Sequence, residues 1–262
     1  MRMKSKLIAA ACLLLPIVLR AQLASFESSG VVMGHIHINT ADVARQKSFW
    51  VDTLGARPIK LGANEGVAMP GAVILFKAFA PSGPTEGSTV NHIGFSIPKL
   101  EPYAAKLDAA GVKYERNPNG RQLMVAGPDG VKVELSADPT VTSPIRFHHV
   151  HFYTPDPIAI QKWYSEKFDA KPGKRASWEA GDLPGANLTY AKGTDVAPTA
   201  NRAVDHIGFE VRDLEAFCKK LEAAGIKFDT PYRKMPQIGL ALAFLTDPWG
   251  TRIELTEGLG KL

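Results

Sequence analysis

Apolar and polar residues alternate along Gly34-His35-Ile36-His37-Ile38-Asn39. The alternation predicts a strand with His35, His37 and Asn39 on one face and Ile36 and Ile38 on the other. The same two-residue period runs through His149-Val150-His151-Phe152-Tyr153, His92-Ile93-Gly94-Phe95-Ser96, Lys132-Val133-Glu134-Leu135-Ser136 and Arg252-Ile253-Glu254-Leu255-Thr256. Between such stretches the period changes to that of amphipathic helices, over roughly 43–54, 100–110, 157–168 and 213–224. Gly111 and Gly225 follow two of these helices, as expected of helix stops. Shorter strand-like stretches follow each helix, near 57–61, 66–69 and 72–79 in the first quarter and near 226–229, 240–246 and 251–256 in the last. Turn pairs such as Pro70-Gly71, Asp129-Gly130 and Pro184-Gly185 separate strands. The pattern is β-α-β-β-β, repeated to make four modules.

The repeat is also one of residues. His35-Ile36-His37 returns as His149-Val150-His151, 114 residues later (149 − 35), and His92-Ile93-Gly94-Phe95 returns as His206-Ile207-Gly208-Phe209 at the same shift (206 − 92). Glu134-Leu135 returns as Glu254-Leu255, shifted by 120 (254 − 134). A repeated fold accounts for repeated apolar residues. A repeated His, His and Glu, placed on polar strand faces opposite the core faces, is the donor set a divalent metal needs. A carboxylate on an inward strand face is costly unless it is paired or metal-bound. The competing expectation for Glu134 and Glu254 is an internal salt bridge to Lys132 and Arg252, two residues earlier on the same face. His37 and His151, one pleat beyond the ligand positions, are expected as acid/base groups, as supports for the ligands, or as residues bonded across the cavity. Tyr153, Tyr190, Glu210 and Arg252 make the second half's inner surface the more polar one, where the first half has Asn39, Phe76, Ser96 and Lys132 at the matching positions. Tyr232 is a candidate substrate contact, and Glu65 and Glu179 read as exposed loop acids.

This organisation resembles the vicinal oxygen chelate superfamily of glyoxalase I, extradiol dioxygenases, methylmalonyl-CoA epimerase and bleomycin-resistance proteins, over about residues 32–257. The resemblance rests on the first-strand histidines, the aromatic pairs Phe49-Trp50 and Trp163-Tyr164, and the Pro-x-Gly turns that lead to Glu134-Leu135 and Glu254-Leu255. It implies an α+β fold of two domains, 30–138 and 145–258, each an open curled sheet barrel of two modules with its helices outside. It further implies one metal site from His35, His92 and Glu134 and another from His149, His206 and Glu254. From their places on the second half's inner face, His151, Tyr153 and Arg252 are the candidate catalytic residues. A glyoxalase-type fourth ligand has no counterpart in Ala72-Val73-Ile74-Leu75-Phe76 or Ala186-Asn187-Leu188-Thr189-Tyr190. Two histidines and one carboxylate leave three octahedral positions open, which favours Fe²⁺ and a dioxygenase-like activity, with Zn²⁺, Mn²⁺ or Ni²⁺ as the other ions. Phe244 to Glu254 is similar to the extradiol signature, with Phe244 where that signature has tyrosine. A glyoxalase- or epimerase-like lyase or isomerase and a non-catalytic small-molecule binder are the alternatives. If one site alone works, the second half's is expected to be that site.

Composition changes the picture at one end. Residues 1–21 carry Arg2, Lys4, Lys6 and Arg20, no acid, and an apolar run from Leu7 to Leu19. That run is short of the roughly 20 residues that cross a bilayer, and it reads as a signal peptide cut after Ala21, giving a secreted or periplasmic protein. Of the formal charge of +5, these residues hold four, leaving 27 basic against 26 acidic residues. The remainder gives no electrostatic case for nucleic acid or for a membrane after signal removal, and the expected partner is a small molecule; a homo-oligomer is left open. With Cys12 in that segment, Cys218 stands alone, in a helical pattern that reads as core.

Overall fold

The computed structural model describes residues 23–261; the expected signal segment, with Cys12, lies outside them. Among the described residues, sixteen strands and four α-helices are arranged as four β-α-β-β-β modules. The first module holds β1 (Val31–Thr40), α1 (Val43–Ser48, continued by a π-helical turn, Phe49–Thr53), β2 (Arg57–Leu61), β3 (Asn64–Met69) and β4 (Ala72–Ala78). The second holds β5 (Val90–Ile97), α2 (Glu101–Ala109), β6 (Tyr114–Arg116), β7 (Gln122–Ala126) and β8 (Lys132–Ala137). The third holds β9 (Arg146–Thr154), α3 (Pro157–Phe168), β10 (Lys171–Arg175), β11 (Trp178–Leu183) and β12 (Ala186–Lys192). The fourth holds β13 (Val204–Val211), α4 (Leu214–Ala223), β14 (Phe228–Met235), β15 (Leu240–Thr246) and β16 (Arg252–Glu257). Asp42, Asp156 and Asp213 cap α1, α3 and α4, each carboxylate accepting from a backbone N–H of the first turn. Among the described residues no helix is long and apolar enough to cross a membrane.

The sixteen strands form two open, mixed, eight-stranded sheets, but not by joining neighbouring modules. One sheet runs β14-β15-β16-β13-β1-β4-β3-β2 and the other β10-β11-β12-β9-β5-β8-β7-β6. The first therefore joins modules one and four, and the second joins modules two and three. This corrects the expectation that each sheet would come from one side of the 138–144 linker. At the seams β1 runs antiparallel to β13, with Ile36 opposite Ile207, and β5 antiparallel to β9, with Ile93 opposite Val150.

The physical reason lies in the apolar faces. Ile36, Ile38, Ile93, Val150, Ile207 and Phe209 are fully buried and belong to one core that also takes Trp50, Leu107, Tyr164, Phe168 and Leu221 from the helical segments. Trp50 of the first module packs on Phe95 of the second, with centroids 5.2 Å apart, and Phe168 of the third on Phe209 of the fourth, 5.1 Å apart. Neighbouring modules thus meet through their helix-bearing faces, and their strand edges pair with the more distant module. The concave faces of the two sheets are left as two polar cups. Cys218 is buried in this core, where desolvation pushes its thiol up to about 12, in keeping with a packing role.

This interleaving has a direct consequence. A protease site placed among the exposed residues Pro139, Thr140 and Thr142 of the linker is expected to yield two fragments that co-elute in native size-exclusion chromatography. Fragments that separate without denaturant would contradict the pairing.

Candidate metal centres

Strand alternation puts His35 and His37 of β1, and His206 of β13, on the concave face of the first sheet, and parallel pairing of β13 with β16 places Glu254 beside Gly208. Three donor atoms converge there. Glu254 Oε2 lies 3.0 Å from His35 Nε2 and 2.9 Å from His206 Nε2, and the two nitrogens are 3.4 Å apart. Two ligand atoms each about 2.1 Å from one ion stand roughly 3.0 Å apart at octahedral and roughly 3.4 Å apart at tetrahedral angles, so this set fits a divalent ion. His37 offers a fourth donor atom within 4.8 Å of the others.

The second sheet builds the matching cup from His92, His149 and Glu134. Glu134 Oε2 is 3.3 Å from His92 Nε2 and 3.8 Å from His149 Nε2, with 3.4 Å between the nitrogens. The expected sets are therefore regrouped: His35 serves with His206 and Glu254, and His149 with His92 and Glu134. The exchange follows from the antiparallel seams, which set first-strand histidines of one half against those of the other.

The glycine of each His-Ile-Gly-Phe motif is what lets the seams close on these rings. A Cβ on Gly208 would lie 2.0 Å from His35 Cε1, and a Cβ on Gly94 would lie 1.8 Å from His149 Cε1. The repeat of Gly94 and Gly208 was the sequence signal for that close approach, and it names the partner ring only once the register is known.

Around the donors the two cups differ. In the first, His206 Nδ1–H donates to Asp205 at 2.6 Å, which would leave Nε2 as the nitrogen to face an ion. Asp205 also accepts from Arg252 at 2.8 Å and from the backbone N–H of Asn201 at 2.8 Å. Burial opposes charge on Asp205, but these bonds outweigh it and hold the carboxyl well below its ordinary range. Burial likewise opposes charge on His206, and its contacts with Asp205 and Glu254 reverse the effect and raise it. Glu254 follows the same logic: burial against, His206 and His35 for, and a carboxyl held well down.

In the second cup Asn91 replaces Asp205, accepting from His92 Nδ1–H at 2.9 Å. Glu134 is engaged through its other oxygen, accepting from Ser136 at 2.7 Å, Gln122 at 2.8 Å and Arg175 at 3.2 Å. At the matching positions the first cup has Thr256, which donates to Glu210 instead, Leu242 and Leu61. Desolvation by burial lowers His92 and, further, His149, and neither is lifted back.

Several expected roles move. Arg252 pairs with Asp205 rather than Glu254, lying over the Phe244 ring at 4.5 Å, and Lys132 pairs with Glu86. The expected catalytic residues do not meet in one cup: Arg252 flanks the first, whereas His151 and Tyr153 stand in the second, rings 5.7 Å apart. Tyr190 turns to the helix side, its ring 5.4 Å from Phe152 and 5.9 Å from Tyr164, because its strand position alternates with the inward Thr189. Glu210 accepts from Thr256 and from the backbone N–H groups of Gly258 and Gly260, tying down the C-terminal turn. Tyr232 packs against the core. Glu65 and Glu179 lie on β3 and β11 rather than in loops, ion-paired with Lys47 and Lys174. His37 and His151 make no hydrogen bond through either ring nitrogen among the described residues, which removes the reading that they bond across the cavity. Burial, then the charges of His206 and His35, pushes His37 down to about 3, so it is a neutral imidazole.

The family model described as the Glyoxalase/Bleomycin resistance protein/Dioxygenase superfamily matches residues 32–135 and again 146–255. No curated protein matches the chain. Among solved structures, glyoxalase I from Zea mays is similar at 16% identity over 88% of this chain and 94% of that one, with a TM-score of 0.69. A putative dioxygenase from Bacillus subtilis is similar at 14% identity over 90% of this chain and 86% of that one, with a TM-score of 0.66. At such identities the likeness is one of fold, and the two neighbours differ in the activity their descriptions carry.

The close approach of Gly208 to His35 gives a prediction for the first centre. Gly208→Ala is expected to displace the His35 ring and weaken divalent-ion binding at that centre by at least about tenfold, read by calorimetric titration, while the far-ultraviolet circular dichroism is kept. Unchanged ion binding would contradict the seam register.

Proposed function

The chain belongs to the Glyoxalase/Bleomycin resistance protein/Dioxygenase superfamily, and from that premise we infer that it is an enzyme holding one divalent ion on His35, His206 and Glu254. Its substrate is a small molecule that chelates the ion through two neighbouring oxygens. The observation that carries this reading is the convergence of the three donor atoms within 3.4 Å, with the His206 tautomer fixed by Asp205. A bound ion would supply Lewis-acid chemistry, lowering the pKa of a coordinated hydroxyl and polarising a coordinated carbonyl. The residues do the remainder. Asp205, itself oriented by Arg252 and Asn201, keeps the Nε2 lone pair of His206 aimed into the cup. His37, held neutral by burial and unbonded at both ring nitrogens among the described residues, is placed to accept a hydrogen bond from a substrate hydroxyl.

A dioxygenase-like activity on an Fe²⁺-loaded site is the first reading, because two histidines and one carboxylate leave room for a chelating substrate and a further small reactant. A lyase or isomerase of the glyoxalase or epimerase kind is the second, for which a bound ion would stabilise the charge that develops on a chelating substrate as it loses a proton. Oxygen uptake with catechols separates the two, since the isomerase reading predicts none. The basic and apolar segment 1–21 supports export, with the mature chain beginning at Gln22; N-terminal sequencing of protein recovered outside the cytoplasm that still starts at Met1 would sink that part.

Two variants test the centre. Glu254→Gln is expected to lower the affinity for Fe²⁺, Mn²⁺, Zn²⁺ and Ni²⁺ by about 100-fold or more and to abolish turnover, because it removes the only anionic donor. Asp205→Asn, which gives His206 the partner His92 already has, is expected to cost about 10- to 100-fold in ion affinity with the fold intact. Full ion binding in Glu254→Gln, with loss in Glu134→Gln, would move the centre to the other cup.

A further inference from the structure

The two cups come from one repeat, yet the donors they gather differ in charge and in softness. In the first, three imidazoles meet the carboxylate of Glu254, whose hydrogen bonds among the described residues are to His35 and His206. In the second, the imidazoles of His92, His149 and His151 stand together, each offering a ring nitrogen within 4.8 Å of the other two. The carboxylate beside them is already engaged: Glu134 Oε1 accepts from Arg175 at 3.2 Å, Gln122 at 2.8 Å and Ser136 at 2.7 Å.

The imidazoles are set for an ion. The Nε2 atoms of His92 and His149 are 3.4 Å apart, while their Nδ1 atoms are engaged elsewhere, with Asn91 at 2.9 Å and His148 at 2.9 Å. Two nitrogens each roughly 2.0 Å from one ion stand roughly 3.5 Å apart at trigonal angles. His151 is 4% exposed, and neither of its ring nitrogens has a partner among the described residues. That state is costly, and an ion bonded to one of these nitrogens relieves it.

Strand alternation adds a fourth donor of another kind. Gln122 of β7 bonds Glu134 and so faces the cup. Met124, two residues on and in register with Glu134, shares that face, while Leu123 and Val125 are buried in the core. In the first cup the place in register with Glu254 is held by Phe244. The second cup therefore has a thioether where the first has a phenyl ring.

Charge then separates the ions. A dication among His92, His149 and His151 would meet no uncompensated anion and would be repelled by the Arg175 guanidinium; a monovalent ion feels half that repulsion. Imidazole with thioether is a neutral, soft donor set, and the soft monovalent ion it suits is Cu⁺.

We propose that the second cup is a Cu⁺ site, held by His92, His149 and His151 with the Met124 sulfur beside them, and that Arg175 turns dications away from it by occupying Glu134. The site uses none of the first cup's donors, so it holds or fails apart from the function proposed above.

The test uses the whole chain, stripped of metal with a chelator and loaded with one equivalent of Zn²⁺. It is then titrated anaerobically with Cu⁺, kept reduced by ascorbate, against a chromophoric Cu⁺ chelator. One Cu⁺ per chain is expected to bind without release of Zn²⁺, and X-ray absorption at the copper edge is expected to show nitrogen neighbours and one sulfur. Met124→Leu, which nearly keeps the side-chain volume, is expected to remove the sulfur and to lower Cu⁺ affinity at least about tenfold, with Zn²⁺ binding kept. His151→Ala is expected to cost at least as much. Arg175→Leu frees Glu134 and is expected to raise the number of tightly bound Zn²⁺ ions from one to two. The proposal is overturned by failure to retain Cu⁺ against the chelator, by release of one Zn²⁺ for each Cu⁺ bound, by a copper edge without sulfur, by unchanged Cu⁺ affinity in His151→Ala, or by two equally tight Zn²⁺ ions in the unaltered protein.

Discussion

The antiparallel pairing of Val31–Thr40 with Val204–Val211 is the constraint on which the first cup depends. It sets Ile36 against Ile207 on the core side and, by the alternation of a strand, His37 against His206 on the concave side. Glu254 then arrives from the strand beside β13, in register with Gly208. No donor pair of this set belongs to one module except His206 and Glu254. The third donor, His35, crosses from the other end of the chain, over a glycine that leaves space for its ring. The site is therefore a product of tertiary pairing, with each donor fixed by a strand of a fully buried sheet centre rather than by a loop.

The same constraint is met twice, which makes the two cups a comparison within one molecule. With the backbone and three ligand-type residues matched, the differences lie in what surrounds the carboxylate and one histidine. Among the described residues Glu254 hydrogen-bonds to two histidines, while Glu134 meets Arg175, Gln122 and Ser136 as well. His206 leans on a carboxylate and His92 on an amide. Charge balance decides between such sites: an anionic donor left uncompensated attracts an ion, and one already paired with a guanidinium does not. Duplication supplied the frame, and these few substitutions set what each copy can hold.

Much of this was legible from the chain. The two-residue alternation placed every ligand candidate on a concave strand face, and the 114-residue repeat of His35 and His92 as His149 and His206 marked them as a set. The helices fell where their period put them. What the sequence left dark was the pairing of modules, because the strand patterns of β1, β5, β9 and β13 are alike and each could pair with any other. The choice is made by the helix-side core, through contacts such as Trp50 on Phe95, and those are visible only in three dimensions. Arg175 was hidden for the same reason. It lies on a short, polar edge strand, 41 residues from Glu134, and its role appears only when modules two and three share a sheet. Arg252 was read toward the wrong carboxylate, since Asp205, adjacent to His206, reaches it first.

The central claim is that His35, His206 and Glu254, drawn from opposite ends of the chain, form the ion site. Crystals of the protein loaded with Zn²⁺, measured across the zinc absorption edge, test it most directly. The account predicts one strong anomalous peak at bonding distance from His35 Nε2, His206 Nε2 and Glu254 Oε2. A peak placed instead among His92, His149 and Glu134, or no peak at either cup, would contradict it.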